Sequence, residues 1–591
     1  MGDSGILPSG GEISFDATRK CQVGEVRYWP WALAVLVLAG LLFFLRLGDR
    51  ALWGSEGRWA EITREMRLTG NYFWPTINGT VYYDKPLLSY WLVAGAAFLT
   101  GSLNEFTARL PSAIAGLLGV ALLMMLARRL YDLRTAVIAG LILSTSYSYA
   151  LFSRIASADV ETVAGVLAAL VLFLHNEEQQ KGGWIAAFWL TMALTSLTKG
   201  LLGFVLPLLV VGIYSIFADG WRELLKRLLD NKITGRLRWL AKQCGWLFQW
   251  RTLPAAVVAL AAYSLPFVLS YEPMHSNIGV YKVFHENVSR FFTPFDHQEP
   301  LYFYLYRIFA LVAPWSIFLP AALVQMHSTS RERGDRFILV YFWATFLFFN
   351  FSGSKRDYYL LPVLPAVAVL IARLFMTERE VLDRGARRLM DLGYVLLAIL
   401  VAIVGVLALL PPAMRPGALS EFPVLPERAA FAAIWGIMLA AVIFALIRLH
   451  PWRIMLSSSL LAYLGLLFLF VFALPGAERY RGEKGFARAV RTQLNGDMSR
   501  IIFYRYGGPG LLFYLSPQRP ILWSEEETDL ARMMEGNPDR WVISRERELL
   551  DLHLRGSVVA REESRRWDRP ASPLGPFVLF RPDGAARQED K

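Results

Sequence analysis

The sequence predicts an all-α polytopic membrane domain followed by a small α/β domain outside the membrane. Hydrophobic residues make up 55% of the 591 residues. They are concentrated in nearly uncharged blocks of about 15–21 residues, the length needed to cross about 30 Å of hydrocarbon. The 19 tryptophans and 24 tyrosines suit aromatic belts at the membrane interfaces. After residue 475 the apolar blocks stop, and β-like runs at 500–506, 540–546 and 576–582 alternate with charged, helix-compatible stretches.

Thirteen apolar blocks are candidates for membrane-spanning helices. They lie at about 29–45, 110–126, 136–152, 160–174, 184–197, 201–217, 253–270, 304–324, 337–351, 360–375, 393–411, 430–447 and 454–474. A further run, Leu87–Thr100, is short and contains Ser89, Tyr90 and Gly95. We expect this run to stay on one side of the membrane rather than to cross it.

The distribution of basic residues predicts the orientation of the chain. With thirteen crossings, the basic loops share one side with the N-terminal residues, and short basic loops stay in the cytoplasm. These loops are 128–134, 221–251, 331–336, 379–388 and 448–453. The predicted units are therefore a cytoplasmic tail (1–27), a membrane domain (28–475) and an external domain (476–591). The first external loop is 48–109, and we expect its helices to lie on the bilayer surface.

Composition and motifs exclude several other classes of protein. The net charge of +12 is explained by the cytoplasmic loops and does not require a nucleic-acid partner. Cys21 and Cys244 both fall on the cytoplasmic side, where free thiols are expected. The sequence has no phosphate-cradling glycine-rich loop, no HExxH and no CxxC motif, so a nucleotide-sugar donor is not indicated.

The external loops, unlike the cytoplasmic ones, carry tight mixtures of acids, bases and aromatics. These clusters are "SEGRW" (55–59), "YYDKP" (82–86), "SRIASADVET" (153–162), "LTKGL" (197–201), "HENVSRFF" (285–292), "DHQEP" (296–300) and "SGSKRDYYLLP" (352–362). Ionisable groups near the membrane are costly unless they pair or do chemical work. We expect these loops to converge on a cleft that holds a charged head group just above the lipid tails.

Each cluster also has a purely structural interpretation. Glu56, Arg58 and Glu61 have the spacing of a solvated helix face, with an ion pair between Arg58 and Glu61. Elsewhere the charges would start a helix, anchor a turn at the interface, lie on the surface or pair locally. This interpretation covers Asp84–Lys85, Arg154, Lys199, His297 and Arg356–Asp357. Their joint occurrence on one side of the membrane favours the functional interpretation.

The residue types in the clusters suit a lipid-linked substrate. Lysine and arginine side chains neutralise a phosphate on a membrane-embedded carrier. A carboxylate can serve as a base or hold an acceptor or a metal ion. Tyrosine and tryptophan rings fit the faces of sugars.

Seven segments resemble, in order, the bacterial GT-C glycosyltransferases of the protein O-mannosyltransferase superfamily. They are "SEGRWAEI", "YYDKPLLSYWL", "ARLPSA", "LTKGLLGFVLP", "FHENVSRF", "APW" and "FSGSKRDYYLLPVLPAVA", and they cover about residues 30–375. The resemblance is nearest to the aminoarabinose transferases that modify lipid A. It implies a GT-C membrane domain of about thirteen helices in the bacterial inner membrane, in a protein that acts as a monomer.

The same resemblance implies an activity. Such enzymes transfer a sugar, with inversion, from a polyprenyl phosphate such as undecaprenyl phosphate to an acceptor on the periplasmic side. Lipid A is the acceptor that the nearest branch implies, and a protein, a polysaccharide or another lipid remains the alternative.

The resemblance also implies roles for individual residues. The donor phosphate is assigned to Arg58, Lys85, Lys199, Arg290 and Lys355. Catalysis on the acceptor or base side is assigned to Glu56 and Asp159. Further substrate contacts are expected from Ser55, Trp59, Tyr82, Tyr83, Asp84, Arg154, Tyr358 and Tyr359. The candidate ligands of a divalent metal are Asp84, His285 and His297.

The first loop departs from the usual pattern of that family. Where the family reads Asp-Glu, this chain has Ser55-Glu56, and Asp84 replaces the usual glutamate before Lys85 and Pro86. We expect Glu56 or Asp159 to compensate for the missing aspartate. A phosphate acceptor is already ionised near pH 7, whereas a hydroxyl acceptor without a base would react about 10²–10⁴-fold more slowly.

Two other classes of function are weighed against the transferase. A secondary transporter or lipid flippase predicts ionisable residues near helix centres, together with inverted repeats and broken helices. A scaffold that presents the C-terminal domain as a binding module leaves the mixed clusters unexplained.

Overall fold

The computed structural model describes most of the membrane domain and the core of the C-terminal domain. The described residues are 28–179, 183–217, 226, 233–248, 250–274, 277–294, 297–330, 332–410, 414, 436, 451–476, 482–535, 537, 539–552, 554–563 and 575–583. Of the predicted spans, 430–447 lies outside these residues except for position 436. The predicted cytoplasmic tail 1–27 also lies outside them.

The described part of the membrane domain is built from α-helices. In chain order they are Trp29–Phe44, Glu56–Thr69, Leu88–Thr100, Glu105–Leu130, Leu133–Ser144, Tyr147–Phe152, Asp159–Gln179, Gly183–Lys199, Leu202–Ile216, Ile233–Gln243, Thr252–Met274, Ile278–Phe284, Arg290–Phe292, Phe303–Leu311, Leu319–Ser328, Arg333–Phe351, Leu364–Met376, Arg384–Leu409, Pro451–Phe468 and Leu474–Gly476. Short 3-10 or π segments join some of them, at Gly245–Phe248, His285–Ser289, Trp315–Phe318, Asp357–Val363 and Leu469–Ala473.

Five helical segments of the described chain are long and apolar enough to cross a membrane. They are Glu105–Leu130, Asp159–Glu177, Thr252–Tyr271, Asp357–Met376 and Ile454–Ala473. The prediction of an α-helical integral membrane protein is confirmed, while the count of thirteen crossings stays a prediction. The run Leu87–Thr100, which we expect not to cross the membrane, contains a helix of 13 residues, Leu88–Thr100.

Capping residues explain where two of the central helices begin. Asn104 and Thr107 form a capping box, because the Thr107 N–H donates to Asn104 Oδ1 (3.0 Å) and the Asn104 N–H donates to Thr107 Oγ1 (2.8 Å). The next helix starts where Asp132 Oδ1 accepts from the Thr135 N–H (2.6 Å). These caps fix the starts of two successive helices that pack against each other in the membrane domain.

The helix Glu56–Thr69, here called the first-loop helix, is covered by protein. Its buried residues include Trp59, Ala60, Ile62 and Met66. The prediction that this helix lies on lipid is therefore wrong. A two-residue hairpin follows it, with β1 (Thr76–Ile77) paired antiparallel to β2 (Thr80–Val81).

The C-terminal domain is a five-stranded mixed sheet with helices. Its strands are β3 (Ile501–Tyr504), β4 (Leu522–Ser524), β5 (Trp541–Arg545), β6 (Gly556–Arg561) and β7 (Phe577–Pro582). Their order is β4-β3-β5-β7-β6, with β3 parallel to β4 and β5, and β7 antiparallel to β5 and β6. Its helices are Glu483–Gln493, Pro509–Leu515, Glu527–Glu535 and Glu546–Asp551. The three strands predicted from the sequence correspond to β3, β5 and β7.

Candidate functional site

Six of the seven mixed clusters line one cavity of about 350 Å³. The cavity lies where the first loop meets the ends of several membrane helices. Its lining residues are Ser55, Arg58, Trp59, Tyr82, Asp84, Lys85, Phe152, Ile155, Ser157, Ala158, Asp159, Lys199, Leu202, Glu286, Asn287, Arg290, Phe291, Phe348, Phe349, Ser352, Ser354, Arg356, Tyr358 and Tyr359. Eleven of these residues were singled out from the sequence, although they come from segments up to 300 positions apart.

One carboxylate at the cavity serves two of the predicted donor-binding cations. Glu286 Oε2 lies 2.7 Å from Arg290 Nη1 and 3.3 Å from Lys85 Nζ. Burial lowers the pKa of Lys85 to about 8, although the Glu286 carboxylate opposes the shift; the nearby Arg58 guanidinium adds to it. One carboxylate thus contacts two cations at the wall of the cavity.

Lys199 also lines the cavity, paired with Asp159. Its ammonium also lies 5.2 Å from the ring centre of Tyr358 and 4.9 Å from that of Tyr359, both cation–π distances. Gly200 adopts a φ of +108°, and a Cβ there would collide with the Asn287 side chain. Only glycine at position 200 lets the Asn287 side chain approach the backbone so closely. In this position Asn287 Oδ1 accepts a hydrogen bond from the Leu201 N–H (3.0 Å).

Arg58 faces the cavity between two aromatic rings. Its Nη1 donates to the Tyr82 hydroxyl (3.1 Å), and its guanidinium lies 5.6 Å from the Trp59 ring centre. The structural interpretation of an Arg58–Glu61 pair is wrong, because Glu61 accepts both of its hydrogen bonds from Arg64 (2.8 Å each).

Asp84 completes this wall of the cavity. Burial would raise its pKa, but a hydrogen bond from Tyr82 and the Lys282 ammonium at 3.3 Å hold the pKa below its ordinary value. Asp84 is therefore an ionised, lysine-paired carboxylate.

Glu56 does not line the cavity, which corrects its predicted catalytic position. Arg109 Nε donates to Oε1 (2.7 Å) and Arg109 Nη2 to Oε2 (2.9 Å). The Ala156 and Trp53 N–H groups each donate to a carboxylate oxygen at 3.0 Å. Burial alone would raise the pKa of Glu56, but these donors, chiefly Arg109, hold it below its ordinary value. A carboxylate with four donors is poorly suited to take a proton, so its contacts indicate a positioning role.

Three other predicted residues are also directed away from the cavity. The Tyr83 hydroxyl bonds to Ser270 Oγ (3.0 Å). Arg154 donates to the carbonyl oxygens of Leu42 (2.6 Å) and Leu45 (2.8 Å). Lys355 Nζ donates to the carbonyl oxygens at positions 352 (2.7 Å) and 299 (3.1 Å). These side chains fasten backbone segments together behind the cavity wall.

The predicted metal ligands are not assembled into a metal site. Within the described part of the chain, no group of three His, Cys, Asp or Glu side chains could hold a metal ion. Asp84 is engaged by Lys282, and His285 Nδ1 lies 3.8 Å from Glu286 Oε1. The backbone carbonyl of His297 accepts a hydrogen bond from the Lys355 N–H (2.9 Å).

Sequence reasoning missed three residues that shape the site. Glu286 lies within the cluster 285–292, but it carries no role predicted from the sequence. Its spacing of four residues from Arg290 is the signal of a helical ion pair. Arg356 donates to the Tyr358 hydroxyl (2.9 Å), whereas Asp357 pairs with Arg307 (3.1 Å), so the predicted Arg356–Asp357 pair is wrong. Arg109 lies in the "ARLPSA" segment, and no local pattern connects it to Glu56.

The fold of the chain is that of the GT-C glycosyltransferases, as the resemblance predicted. The crystal structure of ArnT from Cupriavidus metallidurans bound to undecaprenyl phosphate superposes with a TM-score of 0.69. The match covers 93% of this chain and 98% of that one at 23% identity. The family model described as dolichyl-phosphate-mannose-protein mannosyltransferase matches residues 84–233.

In sequence, the chain is similar to aminoarabinose transferases. It is 30% identical over 388 residues to an undecaprenyl phosphate-alpha-4-amino-4-deoxy-L-arabinose arabinosyl transferase of Pseudomonas fluorescens, covering 64% of this chain and 65% of that protein. It is 29% identical over 418 residues to the corresponding transferase of Pseudomonas aeruginosa, covering 69% of this chain and 71% of that protein. The matched segment thus spans just under two thirds of the first relative.

Proposed function

We propose that the chain is an inverting glycosyltransferase that moves a sugar from undecaprenyl phosphate to lipid A. The names of the similar transferases and the lipid bound to the C. metallidurans protein support this proposal. The observation that carries it is the charge of the cavity. Among the residues that the structure describes, five basic and three acidic side chains line it, an excess of two positive charges. Such a wall suits a phosphate linked to a membrane lipid.

The cations are arranged to stabilise the leaving group. In the proposed step an acceptor oxygen forms a bond to the anomeric carbon, and the bond from that carbon to the donor phosphate oxygen breaks. The electron pair leaves with the phosphate, whose negative charge grows. Arg58, Lys85 and Arg290 are the groups proposed to stabilise it by their fixed positive charges at the cavity.

The acceptor side of the cavity is assigned to Asp159 and Ser55, and Lys199, predicted from the sequence to bind the donor phosphate, is reassigned to this side because it pairs with Asp159. Lys199 would attract an acceptor phosphate, and Asp159 beside it would orient the attacking group. Because a lipid A phosphate is already ionised near pH 7, the loss of the usual aspartate at Ser55 is tolerable for such an acceptor. A hydroxyl on a protein, a polysaccharide or another lipid remains the alternative, with Asp159 as its base.

The proposed setting is the bacterial inner membrane, with the cavity and the C-terminal domain on the periplasmic side. The basic loops on the opposite side of the helices support this orientation. Donor, acceptor and surrounding lipids are the partners that we propose for a monomeric chain.

The position of the ionisable residues favours an enzyme over a transporter. In the described helices longer than 14 residues that follow the first loop, ionisable side chains lie toward the ends. Glu105, Arg109, Arg128 and Arg129 in the helix Glu105–Leu130 are an example. A transport pathway requires ionisable groups near helix centres.

A reconstituted transfer assay tests the proposal. Purified protein in nanodiscs would be incubated with radiolabelled undecaprenyl-phosphate aminoarabinose and lipid A, and the label would be followed into lipid A. A parallel reaction with lipid A stripped of its phosphates identifies the acceptor group. Label in intact lipid A alone supports the proposal; absence of transfer to any acceptor, with donor moving across proteoliposomes, would establish the flippase instead.

A further inference from the structure

The first-loop helix has two working faces, and the function proposed above uses only one of them. Ser55, Arg58 and Trp59 face the cavity. Gly57, within the same turn, faces the C-terminal domain. We propose that the C-terminal domain positions this wall of the cavity, acting through its helix Pro509–Leu515, here called the docking helix.

Two glycines bring the helices into backbone contact. A Cβ on Gly57 would lie 2.5 Å from Gly510 Cα and 2.7 Å from Gly510 N. Since both atoms belong to the backbone, the contact cannot be relieved by a side-chain rotation. An alanine at position 57 must push the docking helix and the first-loop helix apart.

The next anchor holds the segment that leads into the cavity. The Tyr514 hydroxyl accepts from the Leu52 N–H (2.6 Å) and donates to Glu105 Oε1 (3.2 Å). Lys484 of the same domain also reaches Glu105 Oε1 (2.5 Å). Leu52 is only three residues before Ser55, and Glu105 begins the helix that carries Arg109. One hydroxyl therefore ties the C-terminal domain to both sides of the buried Glu56–Arg109 pair.

A third set of contacts fixes the middle of the same loop. Asn78 Nδ2 donates to the Ile521 carbonyl (2.8 Å), and its Oδ1 accepts from the Ile521 N–H (2.7 Å). Arg64 Nη1 donates to the Pro517 carbonyl (2.7 Å). The loop is thus held at its start, middle and end by one domain, which limits rigid-body movement of Arg58 and Trp59.

The proposal rests on the proposed transferase function, because positioning is read out as turnover. A displacement of about 1 Å at a reacting centre lowers the rate by roughly 10²-fold. A domain that only adds stability would lower the amount of folded protein and leave turnover per folded molecule intact. The two roles are therefore separable by experiment.

Gly57→Ala is the main test, with Gly510→Ala as its matched control. The alanine at 57 meets backbone, whereas a Cβ at 510 meets only Glu483 Oε2 (2.6 Å), the end of a flexible side chain. Alanine favours a helix over glycine, so lost activity in Gly57→Ala cannot come from a weakened helix. We expect kcat per folded molecule to fall roughly 10–10²-fold in Gly57→Ala and less than threefold in Gly510→Ala.

Tyr514→Phe gives a milder perturbation, with Tyr504→Phe as control in the same domain. Tyr504 is buried in the other core of the sheet, away from the docking helix. Hydrogen exchange of residues 52–60 in the full-length protein in nanodiscs measures positioning without any substrate. We expect faster exchange of these residues in Gly57→Ala and Tyr514→Phe. In the two controls, Gly510→Ala and Tyr504→Phe, we expect the exchange rate of the wild type.

The outcomes separate the two proposals. Unaltered exchange and turnover in Gly57→Ala and Tyr514→Phe would overturn the positioning role even if the wild type is an active transferase. A wild type without transfer activity would overturn the proposed function, while altered exchange in the same variants would still support the structural coupling.

Discussion

Two groups of ion pairs involve residues of the first loop, and they differ in what surrounds them. The Glu56–Arg109 pair is closed: its side chains are 3% and 0% exposed. Arg109 also donates to the carbonyls of Leu47, Arg50 and Ala51, each at 2.9 Å. The Lys85–Glu286 pair is open: its side chains are 20% and 11% exposed, and Arg290 shares the carboxylate.

The difference separates structural charge from functional charge. In the closed group every donor of Arg109 meets an oxygen of the protein, which leaves no capacity for a ligand. In the open group the two cations that share a carboxylate line the cavity, where a phosphate could reach them. Burial of a charge alone therefore does not identify a binding residue; access to a cavity does.

The largest expected effect is on stability, from breaking the closed pair. Arg109→Leu leaves the Glu56 carboxylate buried without its cation, and we expect the free energy of unfolding to fall by about 3–5 kcal/mol. Denaturant unfolding in detergent measures this loss. Arg532→Ala, which removes an exposed pair with Asp529, is the control and should cost less than about 1 kcal/mol. A similar small loss in Arg109→Leu would contradict the structural role.

The next largest effect is on activity, from removing a cation of the open group. Lys85→Ala removes a cation proposed to stabilise the leaving phosphate, and we expect kcat/KM to fall about 10²–10³-fold. The transfer assay measures this loss, with unfolding followed in parallel to show that the variant is folded. Lys85→Arg keeps the charge and should recover part of the rate. Full activity of Lys85→Ala would remove Lys85 from the donor site.

The convergence of the site was predictable because it depends on topology alone. Apolar blocks and basic loops predict the side of each loop, and residues as distant as Arg58 and Tyr359, which this prediction places on one face of the membrane, line the same cavity. The helical fold follows from the same apolar blocks, and the strands of the C-terminal domain follow from runs such as 540–546.

The orientation of adjacent side chains was not predictable. Ser55 and Glu56 are neighbours, but only Ser55 lines the cavity. Glu56 is held away from it by Arg109, which lies 53 residues after Glu56 in the sequence. Lys355 lies in a loop that lines the cavity, but a local turn directs its ammonium to backbone carbonyls. The burial of the first-loop helix depends in part on a domain about 450 residues away, which no pattern within residues 55–69 reveals.

The comparison also predicts how activity depends on pH. Lys85 in the open group has a pKa of about 8, so it is a cation below that pH and neutral above it. We expect kcat/KM for the donor to fall as pH rises through about 8, by up to tenfold per unit, since kcat/KM reports the free enzyme. In Lys85→Arg this limb should move to higher pH. An identical profile in both proteins would assign the limb to another group.

The smallest expected effect comes from the aromatic faces at Lys199. Tyr359→Leu removes one ring that the Lys199 ammonium contacts at 4.9 Å, while the Asp159 partner remains. A partly exposed cation–π contact contributes about 0.5–1 kcal/mol, so we expect a change of about two- to fivefold in the KM for the acceptor. Tyr359→Phe retains the ring face and should restore most of the affinity. A loss of 10²-fold in Tyr359→Leu would mean that the ring contacts the substrate directly, and the open group would then extend from the cations to the aromatic wall.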